Sequence, residues 1–365
     1  MIPPSKPYVS EEDISFVKKQ VESGLHSYGE KVREFESLMS DYIGKKYAKA
    51  TSSGTTALHI ALLSLGVGSI TNEGEKDEVI LPSYICASVM SAVKMTGAIP
   101  VLADIQDDFI ERGCNIYADK IKKLITKNTR AIIIPHMFGI SADMDRIRKV
   151  SKNIPIIEDC AHSLGTKYKG KYVGSFGDIS IFSFYATKVI SSGQGGMILT
   201  SNKKLKDKID DLTKYDQREE YDISYNYSMS DIHAALGISQ LKQLEKFIKR
   251  RHEIADKYNK SLININKDNN FAIMKKIPEG SFPFKYLIML KSKEEKETLR
   301  KRLKEKGVSA SEPVFNPLHR YLKLNKDDFK NTEKAHDCLL SIPLYPALTN
   351  DEVSYVSETL KSFLG

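Results

Sequence analysis

The sequence predicts an α/β protein: a mostly parallel sheet with helices on both faces, followed by a smaller α+β C-terminal domain. Three observations point there. Between residues 47 and 159, short apolar runs alternate with segments of helical spacing, the pattern of strands joined by crossover helices. After about residue 240 this alternation gives way to long charged helical segments around one strand. The chain has 365 residues and 41% hydrophobic content, enough for one large domain and a smaller one, each with its own core.

In chain order, residues 11–23 (EEDISFVKKQVES) carry apolar side chains at helical spacing, with Ser10 as the N-cap. A second helix is expected over 30–43. A short strand near 47–50 leads through small hydroxylated residues into a helix over 55–65. DEVILPS and IPVLADI read as strands flanking a helix over 86–96. Then come a helix near 119–125, the strand RAIIIPH, a helix near 144–151 and the strand IPIIED. A hairpin-like excursion and another strand lead to Lys188. A charged helix over 240–258, the strand within SFPFKYLIML, a helix over 294–306 and a last helix from about 350 complete the chain. The division falls at 1–240 and 241–365, with no Gly/Ser-rich linker to mark it.

Composition excludes several classes. The start, MIPPSKPYVSEED, has no apolar signal-peptide run, and no stretch of about 18 apolar residues offers a membrane span, so a cytoplasmic protein is expected. The four cysteines form no CxxC pair, so neither a metal site nor a disulfide framework is expected. A net charge of +8 suits phosphorylated small molecules. The basic runs at 246–251 (KFIKRR) and 301–306 (KRLKEK) have helical spacing and no nucleic-acid motif beside them, so they read as solvated helix faces.

Three segments carry candidate chemistry. In SSGTTAL (52–58), Gly54 lets the backbone approach an anion, and Thr55 and Thr56 offer N–H groups at a helix N-terminus plus hydroxyls, which suit a phosphate; the plainer reading is a capped helix. In IIEDCAHSLG (156–165), Glu158 and Asp159 end an apolar strand, where open α/β sheets bind ligands, and at least one needs a cationic or hydrogen-bonding partner. The alternative is a structural ion pair. Lys188 follows an aromatic strand and precedes SGQGG; alone it would be a surface lysine. Together, an anion cradle, a buried acid and a lysine are what pyridoxal 5'-phosphate requires for its phosphate, its pyridine nitrogen and its Schiff base.

The segments GEKVREFESLMSDYIGKKYAKATSSGTTALHIALLSLGVG, DEVILPSY, GAIPVLADI, IIEDCAHSLGTKYKGKYVGSFGDISIFSFYATK and YNYSMSDIHAALGISQL occur in this order and resemble the DegT/DnrJ/StrS group of nucleotide-sugar aminotransferases. The resemblance covers nearly the whole chain. It implies a seven-stranded-type sheet in a large PLP-binding domain, an α/β/α sandwich. It implies that Lys188 forms the Schiff base and moves the proton, that Asp159 pairs with the pyridine nitrogen and that His162 stands beside the ring. Gly54, Thr55 and Ser183 would bind the phosphate. Asn226 would reach the active site of the neighbouring subunit in a homodimer. The chain departs from the pattern at PSYIC, where Cys86 replaces an aromatic, so ring contact falls to Tyr84 or Cys86, and at Gln194, where an acid is common.

The implied reaction moves an amino group from glutamate to a keto-sugar linked to a nucleoside diphosphate, of 3- or 4-keto-6-deoxy type. A PLP-dependent sugar dehydratase on the same fold and a non-catalytic regulator are the alternatives; the presence of Lys188 and Asp159 argues for transamination. Lys214, Arg218 and His319 read as surface or fold-stabilising residues and stay outside the catalytic set. Neither nucleic acid nor membrane is an expected partner.

Overall fold

Local chemistry sets the first helix. The computed structural model describes residues 1–68, 76–216, 218–263, 265 and 270–365. Ser10 caps the helix Glu11–Glu22 in a reciprocal capping box with Asp13. The Asp13 carboxylate also accepts the side-chain amides of Gln240 and Gln243 at 2.8 and 3.0 Å, which docks this helix on a later one. The second helix spans Glu30–Ile43 and ends on Gly44 at φ +81°, a left-handed stop that glycine adopts without strain.

The strands are β1 (Tyr47–Thr51), β2 (Glu78–Pro82), β3 (Ile99–Ala103), β4 (Thr129–Pro135), β5 (Ile156–Asp159), the two-residue hairpin β6 (Lys167–Tyr168) and β7 (Lys171–Tyr172), β8 (Ile179–Ser183) and β9 (Gly196–Thr200). Seven of them form one sheet in the order β1-β9-β8-β5-β4-β2-β3. Only β9 runs antiparallel to its neighbours, β1 and β8. The sheet is therefore mostly parallel and seven-stranded, as expected.

Both faces are buried, which is why β4 and β5 read as unbroken apolar runs. Alternate residues feed opposite cores. Ala131, Ile133 and Ile157 join the core beneath the helices Gly54–Ser64 and Ala87–Met95, whereas Ile132, Ile134 and Ile156 pack with Met144 and Ile147 of the helix Met144–Ser151.

The C-terminal part has its own core. Strands β10 (Phe271–Ile273), β11 (Tyr286–Leu290) and β12 (Leu339–Ile342) form an antiparallel sheet in that order. Ile254, Tyr258, Ile288, Leu303, Val356 and Leu360 meet against it. The helix expected over 240–258 is two: Asp231–Lys242 and Leu244–Ile263, parted at Gln243. Leu244 and Phe247 of the second belong to the main core and Ile254 to the C-terminal one, so one helix passes between the two. The chain's second residue, Ile2, forms a bridge with Val308.

Candidate active site

The parallel strands end along one edge of the sheet, and a cavity of about 230 Å³ lies just beyond those ends. Five strand ends contribute to its wall: Gly54 and Thr55 after β1, Cys86 after β2, His136 after β4, Asp159 and His162 at β5, and Ser183 and Lys188 at β8. Gln194, before β9, stands on the wall as well. Eight of the residues singled out in the sequence thus converge: Gly54, Thr55, Cys86, Asp159, His162, Ser183, Lys188 and Gln194.

The cradle at the β1 end is shaped by what the helix keeps for itself. Ser53 caps the helix Gly54–Ser64, and Thr56 completes the box: its hydroxyl accepts from Ser53 N–H at 3.0 Å. Thr56 is therefore engaged internally, while Thr55 stands on the cavity wall beside the helix N-terminus, where the helix dipole favours an anion. Gly54 is required for closeness. A Cβ there would sit 2.8 Å from Cβ of Ser183, so any larger residue would push the cradle off β8.

Lys188 is set by a loop folded back on itself. Phe184 N–H donates to Gly195 O, Ser192 N–H to Phe184 O and Lys188 N–H to Tyr185 O, each at 2.9 Å. Gly195 packs closely against the loop, and a Cβ there would displace the tip of Met229, whose Cε would lie 2.5 Å away. Burial pushes the Lys188 amine below its ordinary range, against the opposing pull of Asp159. More of the amine is then neutral near pH 7 than for a surface lysine, the state a nucleophile or base needs.

The two acids of β5 point to opposite faces. Glu158 is fully buried, and its carboxylate accepts from His136 Nε2 at 3.0 Å and from the N–H groups of Gly174, Phe176 and Gly177. Burial works to raise its pKa, but these donors outweigh burial and hold the carboxyl below the usual range. His136 Nδ1 accepts from Ala142 N–H, so the ring donates through Nε2. His136, Glu158 and Cys160 lie within 4.8 Å of one another, yet the imidazole and carboxylate are already engaged by these internal bonds.

Asp159, 6% exposed, takes one backbone N–H, from Ala161 at 3.0 Å. Burial raises its pKa, and the Ala161 N–H, Lys188 and His136 only partly offset this. His162 is stacked between two rings, Phe138 at 5.6 Å and Phe284 at 4.6 Å between centroids. Burial first, then the charges of Lys188 and Lys285, hold its pKa well below the ordinary value, so the imidazole is neutral near pH 7. Phe138 sits at φ +56°, a strained backbone for an aromatic residue, in the turn that follows β4.

Other expectations come out differently. Tyr84 is not on the cavity wall: its side chain is completely buried in the main core, and of PSYIC it is Ile85 and Cys86 that line the cavity. The chain direction through that turn aims residue 84 inward and residue 86 outward. Asn226 is exposed and off the wall of the chain's own cavity. Its segment runs past the end of β1, where Ser52 N–H donates to Tyr227 O at 2.7 Å. Arg218 pairs with Asp211, and buried His319 bridges Ser83 and Glu333, both fold-stabilising roles.

Two functional candidates were missed. Arg251 closes the KFIKRR run expected to be solvated, but it is 2% exposed because it lies on the inner side of the helix Leu244–Ile263. Lys285 interrupts the apolar SFPFKYLIML and reaches a second cavity that shares Lys188 and His162 with the first. A cation inside an otherwise apolar strand was the signal available for Lys285.

Comparison with known proteins gives one consistent result. The model of the DegT/DnrJ/EryC1/StrS aminotransferase family matches residues 7–361. The GDP-perosamine synthase of Escherichia coli O157:H7 is 34% identical over 99% of this chain and 98% of its own. The spore coat polysaccharide biosynthesis protein SpsC of Bacillus subtilis is 32% identical over 100% of this chain and 97% of its own. Among solved structures, the PLP form of a candidate sugar aminotransferase from Streptococcus pneumoniae superposes with a TM-score of 0.88 at 28% identity, over 99% of this chain and 98% of that one.

Proposed function

Because the chain belongs to the DegT/DnrJ/EryC1/StrS aminotransferase family, and is thereby a PLP-dependent aminotransferase of the nucleotide-sugar type, we propose that it moves an amino group from glutamate to a keto-sugar carried on a nucleoside diphosphate. A 3- or 4-keto-6-deoxy sugar is the acceptor class. The observation that carries this reading is the single cavity on whose wall Lys188, Asp159, His162, Ser183 and the Gly54–Thr55 cradle all stand.

The residues fit the cofactor. An anion cradle whose glycine leaves no space for a Cβ, and a buried acid with one N–H donor and unused acceptor capacity, match a phosphate and a protonated pyridine nitrogen. When bound, pyridoxal phosphate supplies a carbonyl carbon for amines and a ring that accepts electrons. Thr55, Ser183 and the helix N-terminus would hold the phosphate. Asp159 would hold the proton on the pyridine nitrogen, and that cation would keep its carboxylate ionised. His162, neutral and clamped between two rings, would stand against the cofactor ring without adding charge. Lys188 Nζ would serve first as the covalent anchor and then, released, would take and return the proton at the reacting carbon.

Support for a shared site is the position of Asn226, exposed and off its own cavity, where a second copy could receive it. The dehydratase reading is disfavoured by the amine of Lys188 on the wall, and the non-catalytic reading by the whole constellation. GDP-perosamine synthase is also the name of relatives from Vibrio cholerae and Caulobacter vibrioides, which puts a GDP-linked keto-sugar first in any acceptor panel.

The test is spectroscopic. Glutamate should shift the visible absorbance of the holoenzyme, and a keto-sugar nucleotide should reverse the shift. Lys188→Ala should keep its circular dichroism and lose turnover by on the order of 10⁴-fold or more; full activity in that variant would end the assignment. Mixed dimers of Lys188→Ala and Asn226→Ala chains should regain activity that neither homodimer has, and no recovery would remove Asn226 from the site.

A further inference from the structure

Next to the first cavity lies a second, of about 490 Å³, between the sheet edge and the C-terminal core. Lys188, Lys285 and Arg251 stand on its wall, and among the described residues no Asp or Glu does. Among the described residues neither Arg251 nor Lys285 is within ion-pair distance of an acidic side chain. The Arg251 guanidinium donates to Phe284 O at 2.9 Å and Leu344 O at 3.0 Å, and its Nε has no partner. Lys285 Nζ donates to Pro313 O at 3.0 Å. Burial pushes Arg251 down to about 10, and burial with the nearby Lys188 pushes Lys285 down to about 8. Arg251 is buried and Lys285 half-buried; Arg251 also lies over the Phe284 ring, 5.2 Å from its centroid, and neither cation meets a carboxylate on this wall, so a ligand anion would supply the counter-charge.

We propose that Arg251 and Lys285 form a carboxylate subsite that holds the α-carboxylate of the amino donor beside Lys188. This rests on the aminotransferase reading and names the residues by which the site selects its donor. The α-carboxylate is bonded to the carbon that carries the transferred nitrogen, so its anchor must border the Lys188 amine. Arg251 does so, sharing with Lys188 the wall of this cavity and of a small one behind it. A sugar diphosphate is several bonds from the keto carbon and needs an anion site farther from the amine. With one guanidinium nitrogen spent on the Phe284 and Leu344 carbonyls, Arg251 keeps its full charge and further N–H capacity for a carboxylate oxygen. The keto-sugar, with no carboxylate, would occupy the same cavity without drawing on the pair.

The experiment compares two donors on the holoenzyme by the absorbance change each produces: L-glutamate and its α-amide, isoglutamine, which keeps the side-chain carboxylate and neutralises the other. Wild type should need about tenfold or more isoglutamine than glutamate for half-maximal change. In Lys285→Gln the preference should fall to within about threefold, through weaker glutamate binding, while inhibition by GDP stays within about twofold. Arg251→Lys, which keeps the charge but not the fork, is the second variant; circular dichroism reports whether each variant folds. A preference left intact in both folded variants would overturn the subsite, as would a loss of GDP inhibition without a loss of preference, which would assign the cations to the diphosphate. A wild type unresponsive to any α-amino acid would sink the donor reading itself, and the subsite with it.

Discussion

Glu158 and Asp159 are neighbours on β5, made of the same chemistry and both buried, yet the two faces of the strand treat them in opposite ways. On Glu158 the protein converges four donors, three of them backbone N–H groups from the loop after β7, and its pKa falls. Asp159 receives one backbone N–H, and its pKa rises. The difference separates an acid that completes the fold from one held ready for something outside it. A buried carboxylate left partly unsatisfied is tolerated where a ligand finishes its coordination, and such residues cluster at functional sites.

Substitutions at the two positions should therefore fail in different ways. The largest effect is expected on activity: Asp159→Asn should lower turnover by about 10²- to 10³-fold, because an amide cannot stabilise a ring cation. A variant within a few-fold of wild type would break the contrast. Next, Glu158→Gln should destabilise the chain by about 3 kcal/mol in urea titration, since the amide turns an NH₂ toward groups that are themselves donors.

The pH dependence sharpens the point. Glu158, with a folded pKa below its unfolded value of about 4.3, adds stability at neutral pH that is lost as pH falls below that value through the folded one. The gap between wild type and Glu158→Gln should narrow across that acid window. Asp159 has the reverse sign: its raised folded pKa gives stability present below about 3.9 and lost as pH rises through the folded value. Without added cofactor, Asp159→Asn should be the smallest effect, a gain of up to about 1 kcal/mol at pH 7. A loss there would place Asp159 with Glu158 as a structural acid.

Much of this was legible in the residues. The parallel strands announced themselves as apolar runs, and the turn of small hydroxylated residues and the strand-end acids marked where the sheet edge would be chemically active. The strand Gly196–Thr200 was not foreseen, because five buried residues behind a glycine-rich loop carry no alternation to distinguish them. Nor was the helix Asp231–Lys242, buried on most sides and without a polar stripe; Gly237 there packs so tightly on Phe35 that a Cβ would meet the ring at 2.7 Å. Arg251 and Lys285 escaped for another reason: each reaches the site from a distant element, and a one-dimensional reading of KFIKRR cannot say which cation turns inward.

The sandwiched imidazole has a mechanical implication. Phe138 leaves the main sheet and Phe284 enters the C-terminal strand, and the two segments are laced together where Phe284 N–H donates to Phe138 O at 3.0 Å and Phe282 N–H to Gly139 O at 3.2 Å. Phe138, Phe282 and Phe284 all belong to the main core, so the imidazole is clamped on the side of the molecule that carries Lys188 and Asp159. Only a displacement of the segment at Phe282 and Phe284 would cut those threads and take one ring off His162.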